Sequence, residues 1–334
     1  MFTTNDEKIN GFLFVIILPF LLYFMSYYGF ESSYARLKTM EKAPAFMFSS
    51  VYAYRVIPNY LSVHVTEFFT FIIDTYAPFS KNFLLKQGTL FYHSTFLINS
   101  FFFLLSSVIL HSIFKISASG IILHVTIRRM LHLLAVFFIV ITQYVPTNCD
   151  SVAVFFYLSG CLLTFRYLQK RKVTDFVLLL IVIAVSTFVR ETACLTISFF
   201  ATIFVDVEKL KRKDFSFVKE VFILVVAFVI PYITLRMIIN QKVSLVEDVY
   251  LFQNMTSVFN LSGFVFACVS LYFCYLSCNN LGKYFIKKYL FFSLPYLIMI
   301  TIVGLFWEAR LFIPLILTGF VFVSFQSKNQ LSIS

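Results

Sequence analysis

Charge is scarce in this sequence. Asp, Glu, Lys and Arg make up 13% of its 334 residues, whereas 60% of them are hydrophobic. Soluble domains average about a quarter charged and half apolar residues. Glycine is also rare, with nine residues, and no Gly-rich phosphate-binding loop is present. The composition therefore excludes an ordinary soluble domain and predicts a single integral membrane domain over residues 1–334.

Patterns typical of metal sites, disulfides and nucleic-acid binding are missing too. The six cysteines have no paired spacing and are interpreted as small packing residues. The five histidines include no pair at ligand spacing with a third partner nearby. We therefore expect no metal and no cofactor. The net charge of +11 occurs without a basic arm, so we expect no nucleic-acid partner and interpret the charge mainly through membrane orientation.

Apolar runs near the length of a membrane span, about 20 residues, recur along the chain. They are Gly11–Phe30, Thr89–Phe114, Met130–Pro146, Ser151–Leu168, Val218–Ile239, Val258–Ser277 and Tyr289–Phe306. The run Thr174–Val205 is too long for one span and is interrupted by Arg190-Glu191, which predicts a hairpin of two short helices. Leu311–Phe325 is a short last span. The predicted fold class is all-α, a transmembrane helical bundle of about ten spans.

The placement of Lys and Arg predicts the orientation of these spans. The positive charges of the short loops agree with a topology in which both termini are cytoplasmic. The first apolar run lacks the cleavage pattern of a signal peptide, so we expect it to be retained as a span. The chain is thus predicted to be a multi-pass membrane protein, located in the inner membrane if its host is bacterial.

The long first outer segment, Glu31–Gly88, is the only sizeable region outside the predicted spans. Its aromatic and apolar residues are interrupted by charges, which favours one or two amphipathic helices at the outer interface. Alternatively, residues 56–79 cross the membrane, which would place the N-terminus outside and leave the later spans unchanged.

Three short polar clusters fall at helix ends that this topology places on the outer face. They are Asn148-Cys149-Asp150, Arg190-Glu191-Thr192 and Trp307-Glu308-Ala309-Arg310. Charges at helix ends in so apolar a chain are costly unless they face water or a partner, so they indicate a functional site. The alternatives are structural: the charges pair with one another, and Asp150 acts as an N-cap.

The order of these features resembles the GT-C superfamily of membrane glycosyltransferases. The matching elements are Glu31 after the first span, Tyr54-Arg55-Val56-Ile57-Pro58, Asp150, Arg190-Glu191-Thr192 and Glu308-Ala309-Arg310. The resemblance implies transfer of a sugar from a polyprenyl-phosphate donor, in the membrane lipid, to an envelope polysaccharide or glycan acceptor. Glu31 stands alone, whereas members of the superfamily often have an acidic pair there, and this departure argues against metal-assisted chemistry.

The chemistry of a lipid-phosphate donor predicts a role for each of these residues. The candidates for the catalytic base that takes the acceptor's proton are Glu31 and Asp150. The predicted substrate-binding residues are Arg55, Tyr54, Arg190, Glu191, Glu308 and Arg310. The three arginines suit a phosphate group. The two glutamates are expected to orient the arginines or to accept hydrogen bonds from sugar hydroxyls. As alternatives to these roles, Glu31 is a solvated boundary charge and Arg55 a snorkelling or headgroup-binding residue.

Two other functions are compatible with the same sequence features. An O-antigen or capsule polysaccharide polymerase also places arginines around a lipid carrier, but its usual mark is a large outer loop late in the chain, and the late outer loops here are short. A transporter or flippase of lipid-linked sugars tends to have repeats and broken helices at the midplane. With nine glycines, no internal repeat and charges gathered at one face, the sequence matches that pattern poorly.

Overall fold

Helices and the turns between them make up all of the chain that the structure describes. The computed structural model describes residues 9–29, 37–116, 125–142, 149–205, 218–239 and 249–330. Within these ranges no strand occurs, which confirms the predicted all-α fold class. The α-helices in chain order are α1 (Ile9–Gly29), α2 (Val56–Tyr76), α3 (Pro78–Gln87), α4 (Leu90–Lys115), α5 (Val125–Thr142), α6 (Asp150–Lys170), α7 (Val173–Thr187), α8 (Cys194–Phe204), α9 (Val218–Ile238), α10 (Leu251–Thr256), α11 (Val258–Leu276), α12 (Asn280–Phe292), α13 (Leu294–Val303) and α14 (Ile313–Gln330).

Seven of these helices are long and apolar enough to cross a membrane. They are α1, α2, α4, α5, α6, α9 and α11, and the bent pair α12 and α13 would make an eighth span. Shorter apolar helices cover Val173–Thr187, Glu191–Phe204 and Ala309–Ser324. This set of helices is that of a multi-pass membrane protein.

The apolar run Tyr289–Phe306, predicted as one span, contains a sharp bend in the structure. Helix α12 ends at Phe292, α13 begins at Leu294, and the two helices differ in direction by 54°. Pro295 occupies the first turn of α13. A proline is tolerated there because its missing N–H would have no partner in a first turn, whereas inside a continuous helix it would remove a hydrogen bond. The bend therefore follows from the position of Pro295.

The segment Glu31–Gly88 contains helices α2 and α3. The sequence predicts interfacial amphipathic helices here, and α2 has the length and apolar character of a span, as in the alternative assignment. Near its start, the backbone N–H of Ile57 donates to the carbonyl of Phe188 at 3.2 Å. Helix α2 therefore starts next to the turn that carries Arg190.

The direction of α2 follows from the reach of the chain. Ile57 at the start of α2 and Phe102 in the middle of α4 pack against the same small apolar cluster. Helix α3 with its linkers, which reach about 25 Å, must then connect Tyr76 to Leu90. If α2 ran the opposite way, these two residues would be about 45 Å apart. Helix α2 therefore runs beside the first half of α4, towards the end where α4 starts.

Helix α6 occupies the centre of the bundle. In the most apolar stretch of α6, 67% of the residues are buried, whereas 11% are buried in the corresponding stretch of α9. Inside the bundle the Tyr157 hydroxyl lies 2.8 Å from the hydroxyl of Tyr289 and also contacts Thr318, which ties α6 to α12 and α14. Any side chain at the first turn of α6 is consequently surrounded by other helices, and that first turn carries Asp150.

Candidate functional site

Asp150 is held between two buried arginines. Helix α6 begins at this residue, and the two oxygens of its carboxylate contact different guanidinium groups. Oδ1 forms an ion pair with Nη1 of Arg190, and Oδ2 lies 3.0 Å from Nη1 of Arg310. All three side chains are at least nine-tenths buried. Arg190 of the second polar cluster and Arg310 of the third therefore both contact Asp150 of the first.

Arg190 reaches this position from the turn between two short helices. Helix α7 ends at Thr187, Arg190 is extended, and a 3-10 turn at Glu191–Ala193 leads into α8. This is the predicted hairpin, and it turns at the predicted pair. Burial is the largest single effect on Arg190 and opposes its charged form, but the carboxylate of Asp150 and smaller attractions, such as that of Cys149, together outweigh it and raise the pKa of the arginine above its ordinary value. Arg190 thus stays a cation at any physiological pH.

Arg310 is fixed by a second carboxylate within its own loop. Its Nη2 and Nε lie 2.8 and 3.2 Å from Oε2 of Glu308. Glu308 is partly exposed, with 22% of its side chain accessible. The guanidinium of Arg310 therefore bridges the buried Asp150 and the more accessible Glu308. The role of Glu308, to orient the arginine or to accept from sugar hydroxyls, stays a prediction.

This geometry favours a positioning role for Asp150 over a role as base. A carboxylate whose two oxygens both face cations is a weak proton acceptor, because nearby positive charge favours its ionised form. Its position at the first turn of α6 is also the place where a negative charge stabilises a helix. Glu31, the other predicted base, and Asn148 lie outside the described residues. The choice of Glu31 as base stays a prediction.

Arg55 lies beside this cluster but has a different set of contacts. Its Nη1 donates to Sγ of Cys149 at 3.4 Å, and its guanidinium lies 4.6 Å from the ring centre of Tyr52. Its Nε is buried without a hydrogen-bond partner. In the described part of the chain no carboxylate lies within ion-pair distance of Arg55. Among the described residues the half-buried Arg55 is therefore a cation without a counter-charge.

A fourth arginine, which the sequence analysis did not select, extends the cluster. Arg236, at the end of α9, lies 3.9 Å from Oε1 of Glu191. Its guanidinium also packs over the rings of Tyr54 and Tyr232, at 4.6 and 3.6 Å from their centres. The sequence contained one signal for this residue: it is a positive charge at the outer end of a predicted span, where the other clusters were placed. Tyr54 thus enters the site as a support for Arg236.

The formal charges of the site do not cancel. Its four arginines are Arg55, Arg190, Arg236 and Arg310, and its three carboxylates belong to Asp150, Glu191 and Glu308. Within the described part of the chain, which does not include Glu31, four positive and three negative charges leave a net charge of +1. Burying an uncompensated charge is expensive, so this site is suited to receive an anion. Among the described residues no three His, Cys, Asp or Glu side chains come together in a way that could hold a metal ion.

The loop that carries Glu308 and Arg310 is packed tightly against α11. Gly263 of that helix touches the loop, and a Cβ at this position would lie 2.8 Å from Cα of Trp307 and closer still to Phe306. We expect Gly263→Ala to cost about 1–3 kcal/mol, as overpacking does, and to lower the thermal unfolding midpoint. The matched control is Gly11→Ala, because nothing lies within 4 Å of a Cβ there. Equal midpoints for the two variants would contradict the tight contact.

Comparisons with known proteins provide no assignment of function. No protein-family model matches the chain, and no curated protein or solved structure matches it at a significant level. The likeness to the GT-C superfamily therefore stays a prediction that rests on the residues quoted above. The observations that bear on function are the buried ion cluster, its excess positive charge and its place at the helix ends.

Proposed function

We propose that the protein is a membrane glycosyltransferase that takes a sugar from a lipid-phosphate donor. The observation that carries this proposal is Arg55, a half-buried guanidinium that lies beside a buried ion cluster and has no carboxylate partner in the part of the chain that the structure describes. A lipid-linked donor has its phosphate at the headgroup level, where helices end. A guanidinium at that height suits a phosphate oxygen by charge and by hydrogen-bond geometry.

The remaining arginines would act through their fixed positions. Asp150 and Glu308 hold Arg190 and Arg310 in place before any substrate binds. Such preorganised cations stabilise charge that develops during a reaction, because they need no rearrangement at that moment. In the proposed reaction, negative charge develops on the phosphate oxygen that leaves the sugar.

The proposed transfer has one bond-making and one bond-breaking step at the anomeric carbon. An acceptor hydroxyl forms the new bond to this carbon, and the bond from carbon to phosphate oxygen breaks. The electron pair of that bond stays with the lipid phosphate. The acceptor's proton passes to a carboxylate base, for which Glu31 is the predicted residue. The reaction is placed on the extracytoplasmic face by the orientation predicted from Lys and Arg.

The test is a transfer assay with the full-length protein in lipid vesicles. The vesicles contain lipid-linked sugars extracted from membranes of the host, with the sugar labelled, together with the matching acceptor fraction. Release of lipid phosphate with the label added once to an acceptor supports the glycosyltransferase. A ladder of growing products would indicate the polymerase. Movement of intact donor across the vesicle membrane, with no release of lipid phosphate, would indicate the flippase.

Arg55→Ala is expected to weaken donor binding in that assay. Loss of a charged hydrogen bond of about 1.5–3 kcal/mol corresponds to a rise in KM for the donor of roughly 10-fold to 150-fold. The matched control is Arg171→Ala, because Arg171 lies at the opposite end of α6 and more than half of its side chain is exposed. An unchanged KM in Arg55→Ala would contradict the assignment of Arg55 to the phosphate.

A further inference from the structure

A cavity of about 420 Å³ opens beside the loop that carries the ion cluster. Its wall includes Gln253, Ser257, Asn260, Ser262, Phe259 and Trp307. Ligand sites for small molecules have volumes of about 300–1,000 Å³, so the size fits a small ligand. Only Trp307 of its wall belongs to a polar cluster of the sequence, and the proposed phosphate contacts do not use this cavity.

We propose that this cavity binds a saccharide, and that under the proposed function the saccharide is the acceptor. A sugar ring presents hydroxyls that both donate and accept hydrogen bonds, together with apolar C–H faces. The exposed Gln253 offers an amide that both donates and accepts. The indole of Trp307, 37% exposed, offers an apolar face. Polar and aromatic groups therefore occur together on one wall, as a sugar requires.

The charge of the cavity distinguishes a sugar from a phosphate. Every residue of the wall is formally neutral, and none of them is Lys, Arg, Asp or Glu. A phosphate headgroup placed here would lose its hydration without gaining a cation, which is unfavourable. The phosphate is better accommodated at Arg55. The neutral saccharide would therefore bind in the cavity, and the charged phosphate of the donor would bind at the ion cluster.

The aromatic part of the wall is held in place by its neighbours. Asn254 is buried, and its Nδ2 donates to the carbonyl of Gly304 at 2.7 Å. The backbone N–H of Phe306 donates to Oδ1 of the same amide at 3.1 Å. On the other side, Gly263 of α11 packs so closely against the loop that a Cβ at position 263 would clash with the backbone of Trp307. These contacts fix the loop on which the indole stands.

The same loop connects the cavity with the ion cluster. Trp307 lines the cavity, and the next residue, Glu308, holds Arg310. Consecutive Cα atoms are about 3.8 Å apart. A saccharide against Trp307 would therefore lie beside the partly exposed carboxylate of Glu308, and the role as acceptor follows from this adjacency.

Trp307 gives a direct measurement, because it is the only tryptophan of the chain. We would titrate the full-length protein in lipid nanodiscs with a panel of free hexoses, deoxyhexoses, N-acetylhexosamines and their disaccharides while recording tryptophan emission. We expect a saturable change with at least one of them. Gln253→Ala should weaken that binding about 2-fold to 10-fold, the value of one neutral hydrogen bond. Gln169→Ala, at the far end of α6, is the matched control and should leave the binding unchanged.

Three results would overturn the saccharide subsite. They are no response to any sugar of the panel, a response that Gln253→Ala leaves unchanged, and a response to inorganic phosphate alone. Failure of the proposed function is recognised separately. A saccharide response in a protein that transfers no sugar would support the cavity and contradict the transferase, whereas transfer without such a response would contradict only the cavity.

Discussion

Asp150→Asn is expected to destabilise the protein by about 3–5 kcal/mol, the cost of breaking a buried ion pair from one side. The carboxylate has one oxygen for Arg190 and one for Arg310. An asparagine keeps a single carbonyl oxygen, and its NH₂ group would face the N–H groups of the other guanidinium. The two buried cations would then share one neutral acceptor at position 150, and only Arg310 would keep a carboxylate partner, Glu308. The measurement is the thermal unfolding midpoint of the protein in detergent or nanodiscs.

The control for this variant is the same substitution in an exposed ion pair. Asp74 lies 2.6 Å from Nζ of Lys81, and 46% of its side chain is accessible. Surface ion pairs contribute about 0–1 kcal/mol, so Asp74→Asn should barely move the midpoint. The double variant Asp150→Asn with Arg190→Gln should be less destabilised than the sum of its single variants, because one unpaired cation has been removed. Additive losses would contradict direct pairing of the two residues.

Arg310→Ala is expected to lower sugar transfer by about 100-fold or more, in the range seen when one preorganised donor is removed from a reacting group. Counted over the described residues, the substitution reduces the net charge of the site from +1 to zero, and it leaves the partly exposed carboxylate of Glu308 without its guanidinium partner. The measurement is initial rate of transfer in the vesicle assay. Membrane insertion, checked by protease accessibility of the loops, should be unchanged.

Arg310→Lys separates charge from geometry in the same assay. Lysine restores the positive charge but cannot form the fork of contacts that Arg310 makes with Asp150 and Glu308. We expect a rate between those of the wild type and Arg310→Ala. Full activity in Arg310→Ala, with an unchanged amount of inserted protein, would show that this cluster is only structural.

Much of the helix pattern could be predicted, because a membrane span is defined by a long apolar run. The run Ser151–Leu168 became the helix Asp150–Lys170, and the run Val258–Ser277 became Val258–Leu276. The turn at Arg190 was predicted for the same reason, since a charged pair within an apolar stretch marks the end of both helices. Length and composition are local properties, and the sequence gives them directly.

The partners within the site could not be predicted, because they depend on which helices are neighbours. Asp150 and Arg310 are separated by 160 positions, and the contact between them depends on the helix α6 being central. The support of Arg236 by Tyr54 was missed for the same reason: it joins α9 to the first outer segment. Charge counts placed these residues on one face but could not show that Asp150 would be enclosed by two arginines.

The ion cluster also bears on how the chain enters the membrane during synthesis. Asp150 begins α6 and Arg190 follows α7, so the two charges lie at the same end of one antiparallel helical hairpin. Arg310 arrives with Glu308 in its own loop. Arg190 and Arg310 thus each have a counter-charge within their own hairpin or loop, and a hairpin whose charges are already paired is easier to move across lipid than one with a lone charge. The ion pairs that hold the side chains of the finished site in place would therefore also lower the free-energy cost of inserting each helical hairpin into the membrane.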